Sequence, residues 1–494
     1  MKTLWCGSHR HSLAAVLAGL ISAFFLSSPA QAAVLTYDTT TNLGWFATGA
    51  WDSGTATWTS GDSAVINTAS TLTVNMTSST NVNNLTLGGN GSLSLTGITS
   101  NRVLQMSGGN LSVTNLGAGV IFGARAVIQG NYTFDTNGWL RINSTLSQAY
   151  VGTATVQTGR IHYTYGANQT GSGSNFIING GEVLIERSGA NMGTLTLNSG
   201  NFTLGRTGNT TNHTFTVGVS RLEGNGSTAK IQNALNGNGT QTFLVNQSDN
   251  TTYAGRILAT TGNVTEVNRL IFQKDGAGDL SLTGQLDLRL TTTVSGGRLY
   301  INNTSANATF QDEVGTTAIS VTGGSLGGTG TIKITGTGDN ISLGANGGLT
   351  AGLAGVAGRT TIEFNSGNLD LSLATASANT SWLHFDLGGN GTAGTTYDQI
   401  SLTGGNLNIG TGLNFSDFSF SALSGFGAGN YVLFATPGMI SGSLGTATGT
   451  IGGLNAELSI SGNNLVVDVV PEPSTWALLA FSLTTVMVLR RRRS

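Results

Sequence analysis

The chain has 494 residues, a formal net charge of −2 and only 9% charged residues. Its 74 glycines follow no Gly-X-Y period, which excludes a collagen-like chain, and a mean hydropathy of +0.08 excludes the polar, highly charged composition that is typical of disorder. The single cysteine, Cys6, excludes a fold held by internal disulfide bonds.

The first predicted element is a cleavable signal peptide over residues 1–32. A basic segment precedes an apolar stretch over Leu13–Leu26, and the small residues Ala30 and Ala32 occupy the positions that a signal peptidase reads. We therefore expect signal peptidase to cleave after Ala32, so that the mature chain begins at Ala33. A buried N-terminal helix is the alternative, which the order of charge, apolar core and Ala-x-Ala disfavours.

The next predicted region, residues 33–470, repeats one pattern: a glycine turn and then a short strand with alternating side chains. Alternation with a period of two places one side chain inside and the next outside. Glycine supplies the positive φ that tight corners require. Helical periodicity does not occur within this region. Examples of the pattern are residues 108–113, 180–185, 199–204, 296–301, 366–371 and 404–409.

The spacing of these units predicts that they stack. Several neighbouring units lie about 20 to 27 residues apart, within the range of repeat architectures. Stacked units bury the apolar face that one unit leaves open, with strands about 4.8 Å apart. We therefore predict an all-β solenoid of about 20 coils and about 95 Å, with ladders of Asn and Thr at matching positions. A string of β-sandwiches is the alternative, which would need longer strands and visible linkers.

Residues 271–352 resemble the autotransporter-associated β-strand repeat. Phe272–Gly284 contains its K-x-G-x-G-x-L-x-L-x-G core, Val294–Asn302 its continuation, and Val321–Ile332 a typical ending. The resemblance implies a right-handed parallel β-helix like that of an autotransporter passenger. An opening unit of such proteins is similar to the segment with Trp51, Trp58, Gly61-Asp62 and Val65. A late rung of such proteins is similar to Tyr397–Gly404.

The mature chain offers few candidates for chemistry. Glycoside cleavage needs two carboxylates across a sugar, and three acidic pairs were considered for that role. A non-catalytic interpretation is favoured for each pair, and Glu182 and Glu186 are expected to alternate outward on one solvated strand face. No histidine or cysteine cluster indicates a metal, so we predict neither an enzyme nor a cofactor. The candidates are Asp312 with Glu313, Asp275 with Asp279, Glu182 with Glu186, and the separate histidines His162, His213 and His384.

The last predicted element is a sorting signal over residues 471–494. A Pro-Glu-Pro motif precedes an apolar run over Trp476–Leu489, predicted to be a short transmembrane helix although its 14 residues are fewer than the roughly 20 of a comfortable span. The terminal arginines are expected to hold the end on the cytoplasmic side. The assigned residues are Pro471, Glu472 and Pro473 of the motif, and Arg490, Arg491, Arg492 and Arg493 of the membrane stop.

This tail resembles the PEP-CTERM sorting signal of Gram-negative bacteria. The resemblance implies recognition by an exosortase, a membrane transpeptidase-like enzyme, with cleavage near the motif. The protein would then pass from a transient anchor in the inner membrane to the cell surface or the exopolysaccharide matrix. A plain tail anchor with an accidental linker is the alternative.

Three functions follow from these observations. We expect an exported, non-enzymatic cell-surface or extracellular-matrix protein that contributes to exopolysaccharide or biofilm structure. An adhesin or glycan-binding protein is the first alternative, and a β-helix enzyme that degrades polysaccharide is the second. Residues 33–470 carry a net charge of −7 without a basic cluster in the sequence, which argues against nucleic acid as a partner.

Overall fold

The computed structural model describes most of the region predicted to be a solenoid, together with the C-terminal helix. Of the predicted signal peptide, Ala32 alone is described, so Ala30 and the apolar stretch lie outside the described residues. The described ranges are 32–38, 43–88, 93–97, 102–113, 120–122, 126–135, 138–142, 150–163, 170–186, 190–205, 214–234, 239–258, 268–288, 291–303, 308–310, 317–471 and 473–491.

The strands form three long sheets, in which successive strands generally come from successive coils of the chain; Thr80–Val82 and Leu85–Gly88 share one coil. Sheet 1 contains Val34–Thr36, Ser63–Asn67, Thr80–Val82, Leu85–Gly88, Arg102–Val113, Ala126–Phe134, Tyr150–Val156, Thr170–Ile178, Ala190–Leu197, Phe215–Glu223, Gly239–Asn246, Asn268–Asp275, Thr292–Val294, Thr317–Val321, Asn340–Leu343, Asn368–Asp370, Asn406–Leu413 and Ile440–Leu444. Sheet 2 contains Leu72–Met76, Leu93–Gly97, Val120–Phe122, Trp139–Ile142, Arg160–Tyr163, Glu182–Ile185, Asn201–Leu204, Lys230–Asn233, Arg256–Leu258, Leu286–Leu288, Ala308–Phe310, Thr331–Ile334, Arg359–Phe364, Gln399–Leu402, Gly429–Ala435, Thr448–Ile451, Leu454–Ser461 and Asn464–Val470. Sheet 3 contains Thr251–Tyr253, Leu280–Leu282, Arg298–Ile301, Ser325–Gly328, Gly348–Ala351, Leu383–Leu387 and Phe418–Ala422.

Nearly all strand pairs are parallel and in register, so the all-β prediction is confirmed and the arrangement is consistent with a β-solenoid. Val183 pairs with Phe202 in the next coil, for example. The third sheet starts at Thr251 and therefore covers the region that resembles autotransporter repeats. The predicted turn at Gly108-Gly109 is wrong: these residues lie inside the strand Arg102–Val113, at a shift of register.

The core is a continuous column of apolar side chains between the sheets. Phe243 and Phe272 belong to adjacent coils of sheet 1, and their ring centroids lie 6.3 Å apart. Phe202 of sheet 2 packs on Phe243 from the opposite side at 6.0 Å, and all three rings are fully buried. Full burial of one such side chain contributes about 1.5–3 kcal/mol, so the stack itself supplies most of the driving force for folding.

The glycines at the corners allow coils to approach closely. Gly181 and Gly200 have φ values of 64° and 76°. A Cβ on Gly181 would lie 2.4 Å from the carbonyl oxygen of Gly159, and one on Gly200 would lie 2.3 Å from that of Gly181. Both the left-handed conformation and the missing side chain are therefore required at this column of corners.

Polar side chains form ladders along the outside, as predicted. The side-chain oxygen of Asn340 accepts from the backbone N–H of Asn368 at 2.7 Å. One coil later, the Asn406 amide donates to the Asn368 side chain at 3.0 Å, and Asn406 in turn accepts from Met439 N–H at 2.9 Å. Asn368 and Asn406 thus each bind both the preceding and the following coil.

The solenoid has fewer and longer coils than predicted. The 18 strands of sheet 1 form 17 layers, because Thr80–Val82 and Leu85–Gly88 both pair with Arg102–Val113. At about 4.8 Å per layer the length is about 80 Å rather than 95 Å. The spacing is 19 residues between Val183 and Phe202 but 40 between Ile362 and Leu402. Longer connections towards the C-terminal end, which the mean spacing did not reveal, account for the difference.

The two ends of the stack are built differently from its middle. At the first end, Tyr37, Trp45, Trp51 and Trp58 form a buried cluster, with neighbouring ring centroids 5.0–5.3 Å apart. At the other end, the last strands of sheet 2 turn antiparallel. Such atypical terminal units cover the apolar column where stacking stops.

Helices are short apart from the one at the C-terminus. They are the 3₁₀ turns Asp52–Gly54 and Phe415–Asp417 and the α-helices Ser372–Thr375 and Pro473–Arg491. Judged by length and apolar character together, none of the helices in the described ranges is suited to crossing a membrane. The predicted transmembrane helix is therefore not supported; Ser482, Thr484 and Thr485 interrupt its apolar run.

Candidate functional site

A buried lysine explains the first position of the repeat core at residues 274–284. Lys274 is fully buried, and its Nζ donates to the carbonyl oxygens of Asp275 at 2.7 Å, Gly276 at 3.1 Å and Gly296 at 3.0 Å. Burial lowers the pKa of Lys274 to about 8, while the charges of Asp275 and Asp279 act in the opposite direction. The ammonium therefore joins two coils at one corner.

The remaining positions of that core have packing roles. A Cβ on Gly276, Gly278 or Gly284 would lie 2.4, 2.3 or 1.9 Å from a carbonyl oxygen of the preceding coil. Leu280 and Leu282 are buried in the core. The motif thus specifies how one coil fits on another, and its predicted acidic pair belongs to the same corner.

The predicted pair Asp275 and Asp279 does not form a separate acidic site. The Asp279 carboxylate lies 3.5 Å from the Arg298 guanidinium. The backbone N–H of Asp279 donates to the Asn250 side chain at 2.8 Å. Asp275 contributes its carbonyl oxygen to Lys274. The other pair, Asp312 with Glu313, lies outside the described residues, as does His213.

The pair Glu182 and Glu186 lies beside a groove on sheet 2. Glu182 accepts from Arg160 Nε at 2.5 Å with one oxygen and from Thr203 Oγ1 at 2.5 Å with the other. The prediction that both acids point outward from one strand is wrong for Glu186. It follows the strand's last residue and is only 6% exposed, because it turns towards His162.

His162 and Glu186 form a second close contact beside the groove. His162 Nε2 lies 2.8 Å from Glu186 Oε1, although the imidazole N–H does not point along a hydrogen bond to it. Tyr163, next along the same strand, is buried in the core and cannot stack on a sugar at the surface.

The groove has a volume of about 610 Å³ and runs across four coils. Its sides come from strand residues that pair in register from coil to coil, and its floor comes from the corner glycines. One elongated space is therefore lined by the Trp139 ring, by the oppositely charged Arg160 and Glu182, by the His162 imidazole and by the Asn201 amide. The lining residues are Gly138, Trp139, Gly159, Arg160, His162, Gly181, Glu182, Gly200 and Asn201.

A buried pair of aspartates was missed in the sequence. Asp386 and Asp398 are both fully buried and lie 12 residues apart. Asp398 accepts from the backbone N–H of Asp386 at 2.8 Å and of Gly358 at 2.7 Å, and Asp386 accepts from Gly355 N–H at 2.5 Å. The two carboxyl groups therefore fasten the loop that contains Gly355 and Gly358.

Burial dominates the electrostatics of this pair. It raises the pKa of Asp398 to about 8, with the neighbouring Asp386 charge acting in the same direction and the two backbone donors opposing it. His384 Nε2 lies 3.3 Å from Asp386 Oδ1, and His384 Nδ1 lies 3.4 Å from Ser419 Oγ. These are long contacts, and Asp386 is already engaged by the Gly355 loop, so the arrangement serves to attach that loop.

The described residues include part of the predicted sorting signals and no candidate metal site. Across the described ranges, no group of three or more His, Cys, Asp or Glu side chains is placed to hold a metal ion. Ala32 and Pro471 are exposed, Pro473 begins the C-terminal helix, and Arg490 and Arg491 end it. Glu472, Arg492 and Arg493 lie outside the described residues.

Comparisons with known proteins leave the two resemblances without support from relatives. No protein-family model matches the chain, and no curated protein matches it. The assignments to an autotransporter-like repeat and to a PEP-CTERM signal therefore stay predictions that rest on the quoted residues.

Replacement of Lys274 should destabilise the solenoid locally. Lys274→Met leaves three partly buried carbonyl oxygens without their donor, and we expect a loss of about 2 kcal/mol in chemical denaturation. Lys333→Met is the matched control, because the Lys333 side chain is 41% exposed and lies 3.3 Å from Glu363, a surface pair worth less than about 1 kcal/mol. Equal losses in the two variants would contradict the structural role of Lys274.

The loop that contains Gly355 and Gly358, which Asp386 and Asp398 hold in place, should become less stable as the pH rises. The folded pKa of Asp398, about 8, lies above the ordinary value of 3.8, so the folded state binds the extra proton between these values. Stability from this group is therefore full near pH 4 and falls towards pH 8, by at most about 1.36 kcal/mol per pH unit. Amide protection factors at Gly355 and Gly358 should show the decline.

Asp398→Asn is the control for this pH dependence. The amide does not titrate, so the decline should flatten in the variant even if its overall protection is lower. A decline of the same slope in Asp398→Asn would assign the effect to another group.

Proposed function

We propose that the protein is an exported, non-enzymatic rod of the cell surface or extracellular matrix, which contributes to exopolysaccharide or biofilm structure. The uninterrupted stacking of coils, from Val34–Thr36 to Ile440–Leu444 in sheet 1, carries this proposal. A rod of about 80 Å with hydrogen bonds between all its layers is a stiff spacer. We also propose a right-handed coil, as the resemblance to autotransporter passengers implies.

The state of the carboxylates supports a structural rather than a catalytic role. A glycosidase needs one carboxylic acid free to protonate the leaving oxygen and a second carboxylate free to act on the sugar. Glu182 is bound by Arg160 and Thr203, and Glu186 lies against His162. Both oxygens of Glu182 are thus engaged within the protein, and Glu186 is withdrawn from the surface.

The geometry of the C-terminal segment supports the sorting route. The helix Pro473–Arg491 carries apolar side chains that remain in solvent, with Phe481 76%, Val486 62% and Met487 63% exposed. The motif at Pro471 directly follows the last strand, Asn464–Val470. An exosortase-type enzyme would therefore meet the motif on an accessible connection, next to a helix with an apolar surface suited to a membrane-bound enzyme.

Processing at both ends tests the proposed route. Mass spectrometry of protein recovered from the cell surface should give Ala33 as the first residue and a C-terminus near Pro471–Pro473. In cells without exosortase, the chain that keeps its C-terminal segment and still ends at Ser494 should accumulate in the membrane fraction. Replacement of the motif prolines by alanine should have the same effect, whereas Pro437→Ala in the solenoid should not. Surface protein that still ends at Ser494 would contradict sorting by cleavage.

The groove on sheet 2 favours glycan binding as a second candidate function. Sugars are held by planar polar groups at their edges and by aromatic rings at their faces, and the groove presents both in Arg160, Asn201 and Trp139. Its lining repeats at the strand spacing of about 4.8 Å, so a chain of sugars could follow the axis of the rod. The matrix role and the glycan-binding role are compatible.

Loss of the groove's aromatic ring should weaken glycan binding. Trp139→Ala should reduce retention of the protein on immobilised exopolysaccharide from the producing cells by about two- to twelvefold, since a stacked aromatic ring is worth about 0.5–1.5 kcal/mol beyond area burial. Phe46→Ala removes a partly exposed aromatic ring elsewhere and should leave retention unchanged. Equal retention of both variants and the unaltered protein would exclude the groove as the binding site.

A further inference from the structure

The first coil holds a buried carboxylate directly at the predicted start of the mature chain. The backbone nitrogen of Ala33 donates to Asp62 Oδ1 at 2.9 Å, and Thr59 N–H donates to Asp62 Oδ2 at 2.9 Å. Asp62 is only 7% exposed, although Ala33 itself lies at the surface. In the next residues, Ser63 N–H donates to the Ala33 carbonyl oxygen at 2.7 Å. Ala33 is thus attached to the second strand by both of its backbone groups.

All charged side chains among residues 33–101 are acidic. Residues 33–101 contain three aspartates, Asp38, Asp52 and Asp62, and no Lys, Arg, His or Glu. Asp52 accepts from the backbone N–H of Thr36 at 2.8 Å, on the same first strand. A buried carboxylate normally has a cationic partner or a full set of donors, and in the uncleaved chain Asp62 has two neutral backbone donors.

We infer that cleavage after Ala32 completes the N-terminal cap, because the new α-ammonium of Ala33 forms an ion pair with the buried carboxylate of Asp62. The inference rests on the proposed cleavage by signal peptidase. Hydrolysis of the Ala32–Ala33 bond replaces the amide nitrogen by an ammonium group at the same place, 2.9 Å from Asp62 Oδ1. A neutral hydrogen bond thereby becomes a charge-assisted one, which is roughly twice as strong.

The ion pair would stabilise the strand that closes the rod. Val34–Thr36 is the edge of sheet 1 and has one neighbour, Ser63–Asn67. A parallel edge strand exposes unpaired backbone groups, and this one is only three residues long. Its backbone continues to Tyr37, which packs on Trp51 of the aromatic cluster. The cap is therefore weaker while the leader is attached and is completed after export, when folding is required.

The pH dependence of the effect follows from the α-amino group. Its ordinary pKa is about 7.7–8.0, and we expect the facing carboxylate of Asp62 to raise the pKa in the folded state. The extra stability is therefore complete at pH values below the ordinary pKa and is lost as the pH rises through the raised folded pKa.

The test compares two chains that differ only at the first residues. One begins at Ala33, and the other retains Gln31 and Ala32, so that Ala33 keeps an amide nitrogen; both are otherwise complete. At pH 6, amide hydrogens of Val34–Thr36 should exchange about fivefold or more slowly in the chain that begins at Ala33. At pH 10 the two chains should exchange alike after correction for intrinsic rates. Equal exchange at both pH values would overturn the inference.

Asp62→Asn in both chains isolates the ion pair. The difference at pH 6 should disappear in this variant, and a difference that persists would show that chain length rather than charge is responsible. If Asp62→Asn does not fold, the pH comparison of the unaltered chains still decides. Mass spectrometry of the exported protein separates the two proposals: a different N-terminus contradicts the cleavage site, whereas the exchange experiment tests the ion pair on a chain made to begin at Ala33.

Discussion

Parallel, in-register stacking of coils is the constraint on which the rest of this structure depends. Neighbouring backbones are about 4.8 Å apart, so every position in a coil lies directly against the same position in the next. Corners have no room for a Cβ, as Gly181 and Gly200 show. Inward positions form the apolar column, and outward positions form ladders such as that through Asn368. The glycine-rich, charge-poor composition is a consequence of this geometry.

Stacking also explains why the rare charged residues are so often internal partners. A corner turns its carbonyl oxygens inward, and each needs a donor. Lys274 supplies donors at one corner, whereas Asp398 and Asp62 supply acceptors for N–H groups at others. These groups join segments from different coils, so each stabilises an interface between repeats. A charged residue in this chain is therefore evidence of a junction before it is evidence of chemistry.

The sequence predicts the repeating part of the fold better than its junctions. Alternation after glycine located the strands at Glu182–Ile185, Asn201–Leu204 and Arg298–Ile301, because side-chain period and corner conformation are local properties. The number of coils was overestimated because connection lengths vary independently of strand patterns. The contact of Asp62 with Ala33 depends on which residues stacking brings together, 29 positions apart, and no local pattern reveals it. The same holds for the groove, whose lining comes from four coils.

The two ends of the rod need protection against further stacking, whereas each coil in the middle is covered by a neighbour on both sides. An unprotected terminal coil would expose its apolar column and a parallel edge, and both would recruit another copy. At the C-terminal end, antiparallel pairing of Leu454–Ser461 with Asn464–Val470 breaks the register that a further coil would need. At the N-terminal end, the tryptophan cluster fills the column, while the edge strand is short and attached through Asp62. Closure of both ends therefore opposes stacking of a second copy, as the proposed role of a separate surface rod would require.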